Sequence, residues 1–156
     1  PRPFEARRHE VGGRKVSLDD IEHETLRPEL GFRVHAAISC ASRSCPPLAR
    51  SAYRSEGFSD RLDTAMRSWL AREDLNRFLP ERRKAEVSAV FKWFAEDFEK
   101  AGGAKQILAR YGPDRYRAFL AGGDYSITYL EYDWGLNDQG QEGRDYGGLR
   151  SLWDRL

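Results

Sequence analysis

The sequence predicts an α+β fold: a single domain in which a small β-sheet is packed by several helices. Three observations lead there. Apolar residues recur at three-and-four spacing in separate stretches, clearest at Leu62, Ala65, Met66, Trp69 and Leu70 and again from Val87 to Phe98. Two other stretches are built of small, β-branched or aromatic residues and read as strands, Val34 to Ile38 and Ser126 to Trp134. The 156 residues include four Trp, seven Tyr and eight Phe, enough to fill one core, and no internal repeat or second domain is evident, so one domain over 1–156 is expected.

Taken in order, His9 to Val16 reads as a tight hairpin, with Gly12-Gly13 supplying the positive φ angles of a two-residue turn. Ser17 then caps a helix that carries Asp19 and Asp20 in its first turn, where negative charge is favoured, and that runs to about Arg27 before Pro28. Leu18, Ile21, Thr25 and Leu26 share one face of it. Glu22 falls within that apolar arc and His23 at its flank. A carboxylate there needs a partner inside the fold: either an ion pair with a buried Arg such as Arg33, or a catalytic group that it orients or charges.

The Val34–Ile38 strand ends in a polar loop, Ser39 to Ser44, followed by Cys45-Pro46-Pro47. Proline suits a first helical turn, so a helix is expected to start at Pro46 with the Cys45 thiol in the positive field of its N-terminus. Ser59 caps the next helix, with the 62–70 stripe in the core. Residues 73–86, punctuated by Pro80, read as a connector. A third helix carries Val87, Val90, Phe91, Phe94 and Phe98 and stops at Gly102-Gly103, with Asp97 at the edge of the stripe as a structural salt-bridge residue. Helical pieces at about 104–111 and 114–121 flank Gly112-Pro113. Gly122-Gly123-Asp124 turns into the Ser126–Trp134 strand, whose large side chains on both faces suggest a central position. Leu149, Leu152, Trp153 and Leu156 lie on one stripe of a short terminal helix.

Charge narrows the function classes. With 26 Lys and Arg against 25 Asp and Glu, no net field recruits nucleic acid or an anionic membrane, and Glu81-Arg-Arg-Lys84 is a short solvated connector. A charged fraction of 33% with 40% hydrophobic residues is the balance of a soluble globular domain. No run of about 18 apolar residues exists to span a membrane. The sequence starts at Pro1 rather than Met, so its compartment stays open, and two cysteines fix no redox setting.

Chemistry, if there is any, is expected around residues 33–48, which hold both cysteines and one of the three histidines. Cys45 is the candidate nucleophile, His35 its base, and Glu22 the group that holds the imidazole, with Asp133 and Asn137 in reserve. Cys40, His23 and Asn137 complete the set as binding residues. Three other readings use the same atoms: tetrahedral zinc on His23, His35, Cys40 and Cys45; a Cys40–Cys45 disulfide; and a core histidine beside two small buried thiols. Glycine-rich phosphate loops, His-Glu-x-x-His and Gly-x-Ser-x-Gly are absent, so those templates for phosphoryl transfer, zinc proteolysis and serine hydrolysis are unsupported. No metal or cofactor is expected. The expected partner is a peptide or small-molecule substrate.

Val16-Ser-Leu-Asp-Asp-Ile-Glu-His23, Leu26-Arg-Pro28, Arg33-Val-His-Ala-Ala-Ile-Ser-Cys40, Ser44-Cys-Pro-Pro-Leu48 and Tyr132-Asp-Trp-Gly-Leu-Asn137 together resemble the domain-of-unknown-function 547 (DUF547) family. The resemblance marks Glu22, His23, His35, Cys40 and Cys45, and implies a bacterial protein, with an exported or periplasmic setting favoured over the cytoplasm. It is compatible with a papain- or transglutaminase-like α+β thiol-hydrolase fold, an analogy of fold rather than of activity. Family members usually carry an upstream Trp-x-Asn-x-Tyr-Asn segment, which does not occur here. Without it, an apolar groove is expected, open to that segment or to a partner. The function expected is a cysteine-dependent hydrolase or acyl-transferase; the competing class is a non-catalytic interaction module whose Cys/His loop is structural.

Overall fold

The computed structural model describes residues 4–138 and has the expected mixed α+β character. A hairpin opens it, β1 (His9–Val11) against β2 (Arg14–Val16), with Gly12 and Gly13 at φ 57° and 77° in the turn. Ser17 then starts the first helix by a reciprocal cap. Its Oγ accepts from the Asp20 amide at 2.9 Å, and its own amide donates to Asp20 Oδ2 at 2.8 Å.

That helix does not stop at Pro28. A π-helical stretch, Asp20–Leu26, runs into α1 (Arg27–Leu30) and carries the chain through the proline. A π-turn bonds each amide one residue further back, which leaves room for the ring that an α-turn would push against a carbonyl. Gly31, at φ 58°, then reverses the chain. The expected strand at Val34–Ile38 is instead a 3₁₀ turn, Gly31–Ala36, whose amides close locally, as in Ala37 N–H to Val34 O at 2.8 Å. Its run of small and β-branched residues reflects burial between helices: Val34, His35 and Ala36 are all buried.

The helix expected at Pro46 is also absent, and residues 46–54 have no regular structure. Each residue before a proline is steered out of the α region, so Pro47 denies Pro46 the helical conformation, as Pro46 denies it to Cys45. α2 (Phe58–Leu70) follows, capped by Gly57 rather than Ser59, and buries Leu62, Met66, Trp69 and Leu70 as its stripe requires. The connector expected at 73–86 is a hairpin: β3 (Arg77–Leu79), a 3₁₀ turn at Pro80–Arg82 and β4 (Lys84–Val87). Proline sits in the turn, where no ladder bond is lost. α3 (Val90–Trp93) and α4 (Ala95–Glu99) replace the single third helix, broken at Phe94 (φ −110°, ψ 33°), with Val87 in β4. α5 (Ala104–Tyr111) and α6 (Arg117–Gly122) are the expected pieces on either side of Gly112-Pro113.

β5 (Ser126–Tyr129) pairs parallel with β4, so the second sheet has the order β3-β4-β5. β4 is central and β5 lies at an edge, which corrects the expected central position. The strand also ends at Tyr129. Beyond it, residues 133–137 bond to the cysteine loop, with Arg43 N–H to Gly135 O and Asn137 N–H to Ala41 O both at 2.8 Å. The core lies between sheet and helices, centred on Trp69, Phe91 and Phe98, with Phe91–Phe98 ring centroids 4.3 Å apart. The terminal helix expected around Leu149–Leu156 lies outside the described residues. Among the described residues no helix is long and apolar enough to cross a membrane.

Asn76 ties α2 to β4 inside this core. Its Nδ2 donates to Trp69 O at 3.0 Å and its Oδ1 accepts from the Ser88 amide at 3.2 Å, with the residue 1% exposed. Asn76→Ala leaves the Ser88 amide buried and unpaired, while Trp69 O keeps the Arg72 amide at 3.2 Å. We expect it to lower unfolding stability by about 2–4 kcal/mol, measured by urea denaturation.

Candidate functional site

The first helix turns its apolar face to a cavity instead of to the core. No residue of Asp20–Leu30 is buried, and Leu18 is 42% exposed. The cavity, about 530 Å³, lies between Leu18, Ile21 and Leu26 on one side and Ile38, Trp93 and Phe94 on the other. Its polar lining includes Glu22, His23, His35, Cys40 and Cys45, so five of the six sequence-predicted site residues meet in one chamber. Asn137 does not join them: it is exposed, and its amide serves the loop at Ala41. Asp133 is exposed as well and pairs with Arg43 at 3.6 Å.

The back wall is a histidine hydrogen-bonded to a carboxylate that is itself ion-paired with Arg27. Asp97 Oδ2 receives both Arg27 Nε and His35 Nε2, each at 2.8 Å. A carboxylate only accepts, so His35 carries its proton on Nε2 and keeps a lone pair on Nδ1. The ring lies stacked on Phe94, centroids 4.1 Å apart. Burial drives the His35 pKa down to about 4, against the pull of Asp97, so the imidazole is neutral at neutral pH. Burial works to raise Asp97, but the bonds from Arg27 and His35 outweigh it and its pKa is lowered. Arg27 also donates to His23 Nδ1 at 2.8 Å; burial, then this cation, lowers the His23 pKa. The group that holds His35 is therefore Asp97 and not Glu22. Arg33, the expected partner of Glu22, pairs with Asp63 at 3.0 Å instead.

Cys45 sits opposite, in a turn closed by its amide to Ser42 O and shaped by Ala41 at φ 68°. Four groups able to donate surround its sulfur: the Cys40 thiol at 2.8 Å, the Cys40 amide at 3.0 Å, and the hydroxyls of Ser42 and Tyr132 at 3.3 Å each. Ser42 also donates to Tyr132 Oη at 2.8 Å, so its one proton is shared between the two. Led by the Cys40 thiol, these donors lower the Cys45 pKa against the effect of burial, while Cys40 is raised. The pair thus ionises at Cys45. Burial raises Tyr132 and keeps its hydroxyl a donor, and the ring packs in a cluster with Trp93 (4.7 Å) and Trp134 (4.5 Å), which also contact each other at 5.4 Å. The expected support from a helix N-terminus is absent; side chains and one amide do that work. No hydrogen bond joins His35 to Cys45 among the described residues.

Glu22 has no comparable support. Its Oε1 is buried without a hydrogen-bond partner among the described residues. Burial raises its pKa to about 7, opposed by Arg27 and reinforced by Asp19 and by a charge on Cys45. Among the described residues no Lys or Arg lines the cavity, and no group of three or more His, Cys, Asp or Glu is placed to hold a metal ion.

A family described as "Protein of unknown function, DUF547" matches residues 2–70. The similarity to DUF547 covers that segment, less than half of the chain. The DUF547 segment carries Glu22, His23, His35, Cys40 and Cys45, whereas Asp97 and Tyr132, which position His35 and Cys45, lie beyond it. No curated protein and no solved structure matches the chain. Sequence reasoning read Asp97 as a structural ion pair only, and assigned nothing to Ser42 or Tyr132. Asp97 carried one usable signal, since it follows Phe94 by three positions on the stripe that packs on His35.

Glu22 makes a signed prediction. A carboxyl whose folded pKa is raised contributes stability below its unfolded value of 4.5 and loses it as pH rises through about 7. Glu22→Gln lacks that loss. The stability of Glu22→Gln minus that of the unsubstituted protein should therefore rise between pH 4.5 and 7, by about 3 kcal/mol, in denaturation series across that range.

Proposed function

We propose that the protein is a cysteine-dependent hydrolase or acyl-transferase with Cys45 as nucleophile and Glu22 as proton carrier. The observation that supports this most is the pairing in one apolar cavity of a donor-surrounded thiol with an unpartnered carboxyl of pKa about 7. A thiolate is the reactive form of cysteine, and a carboxyl titrating near neutrality both gives and takes protons at working pH. The Cys45 thiolate attacks an acyl carbonyl; the bond to the leaving group breaks, and Glu22 protonates that group as it departs. Glu22, now ionised, takes a proton from water, whose oxygen attacks the thioester. The acid product leaves and the thiolate is restored.

His35 does not have to generate the thiolate in this scheme, because the donors around Cys45 already favour it. Its role is to position, as a neutral ring fixed on Asp97 with a lone pair on Nδ1. As charge passes from sulfur to the carbonyl oxygen, the Tyr132 hydroxyl and the Cys40 amide are the donors at hand. The division between a thiol and a proton carrier is the one used by papain- and transglutaminase-like enzymes, here with a carboxyl in the carrier's place.

The cavity sets the acyl groups to try. Its apolar walls and its freedom from Lys and Arg suit a neutral, apolar acyl chain. With 4-nitrophenyl hexanoate we expect a stable mass increase on Cys45 at early times and steady release of nitrophenolate. Cys45→Ala should abolish both, and Glu22→Gln should slow turnover by about 100-fold or more. Iodoacetamide should label Cys45 ahead of Cys40 at pH 6, well below the usual thiol range of about 8.5. Equal turnover by Cys45→Ala, or no labelling preference, would overturn the reading in favour of an interaction module.

A further inference from the structure

The neighbouring thiol has its own chemistry. Cys40 Sγ lies 2.8 Å from Cys45 Sγ, and both cysteines are free and line the cavity. A disulfide needs about 2.05 Å, so a sulfur shift of under about 1 Å joins them. The turn that brings them together is fixed independently, by Ala41 at φ 68° and by the bonds from residues 41–44 to the 133–137 segment. We infer that Cys40 and Cys45 form a thiol–disulfide exchange site, oxidised by low-molecular-weight disulfides that enter through the cavity.

The steps balance without any group beyond that disulfide, RSSR. The Cys45 thiolate attacks one sulfur, the S–S bond breaks, and one RS⁻ leaves. Cys40 loses its proton to solvent and attacks the Cys45 sulfur of the mixed disulfide, expelling a second RS⁻. The protein dithiol gives up two electrons, and RSSR takes them as two thiolates. Order follows from the donors: Cys45, with four groups able to donate around its sulfur, is the first to attack on oxidation and the better leaving group on reduction. Those donors hold the reduced form, so the disulfide is readily reduced. Oxidation also ties up the proposed nucleophile, though the exchange itself needs no acyl substrate.

The test uses the whole chain and glutathione buffers of varied reduced-to-oxidised ratio. Thiols are trapped with iodoacetamide and mapped by mass spectrometry. The expected product is an intramolecular Cys40–Cys45 link, two hydrogens lighter, with no glutathione attached. Tyr132→Phe, made together with Ser42→Ala so that the freed Ser42 hydroxyl does not take its place, removes the hydroxyl donor and keeps the ring against Trp93 and Trp134. The double variant should make the disulfide persist to a roughly five-fold more reducing buffer, the effect of one lost hydrogen bond. A glutathione adduct that stays on Cys45 beside a free Cys40 would overturn the inference. So would two thiols that remain alkylatable in oxidised glutathione, or a midpoint that the double variant leaves in place. Because no ester is involved, these outcomes are separate from success or failure of the acyl-transfer reading.

Discussion

One carboxylate oxygen organises this half of the molecule. Asp97 Oδ2 takes hydrogen bonds from Arg27 and His35 at once and so joins α1, the 3₁₀ turn and α4. α1 and the 3₁₀ turn are consecutive, but Asp97 in α4 lies 62 residues beyond His35, and a buried charge of this kind is tolerated only while its partners stay in place. Phe94 adds the packing: His35 stacks on its ring, and the Arg27 guanidinium lies over it at 4.9 Å. The cavity exists because this junction holds the first helix at its far end while leaving its apolar face uncovered.

The opposite wall depends on a different closure. The cysteine loop has no helix behind it and is held instead by backbone bonds to residues 133–137 and by the Ser44 hydroxyl on the Asp133 amide, at 2.9 Å. This brings Tyr132 to Cys45 from a segment almost ninety residues away in sequence. The two walls therefore rely on long-range partners supplied by the second half of the chain. The run of His, Cys and Pro at 35–47 cannot form the site alone.

That dependence explains what was legible in the sequence. Local signals read well: the Gly12-Gly13 hairpin, the Ser17 cap, the α2 stripe and the Gly112-Pro113 break all rest on neighbours within a few positions. The misreadings concern burial from elsewhere. Val34 to Ala36 look like a strand because both run types are apolar, and only packing against α2 and α4 separates them. β3 and β4 are short enough that charged residues on their open faces hid the alternation at Phe78, Ala85 and Val87. Glu22 was singled out correctly as a carboxyl in an apolar arc. Its partner could not be named because its Oε1 has none among the described residues, and the carboxylate that does hold His35 lies on another helix.

The absence of a partner for Glu22 and the surplus of donors at Cys45 are two sides of one electrostatic problem. A thiolate and a carboxylate in the same low-dielectric chamber repel, and with no Lys or Arg in the lining nothing nearby offsets both. One of the two must therefore carry the proton. Hydrogen bonds decide which. Among the described residues the sulfur has donors from Cys40 and from the linked Ser42 and Tyr132 hydroxyls and Glu22 Oε1 has none, which favours the negative charge on Cys45 and the proton on Glu22. A pair of titratable groups pushed apart in this way is what the proposed reaction asks for, an ionised thiol in the same cavity as a protonated carboxyl. The neutral His35 fits the same account. Were it charged, it would hold both anions in place and remove the contrast; burial against Phe94 prevents that and leaves the division of charge to the donors around Cys45.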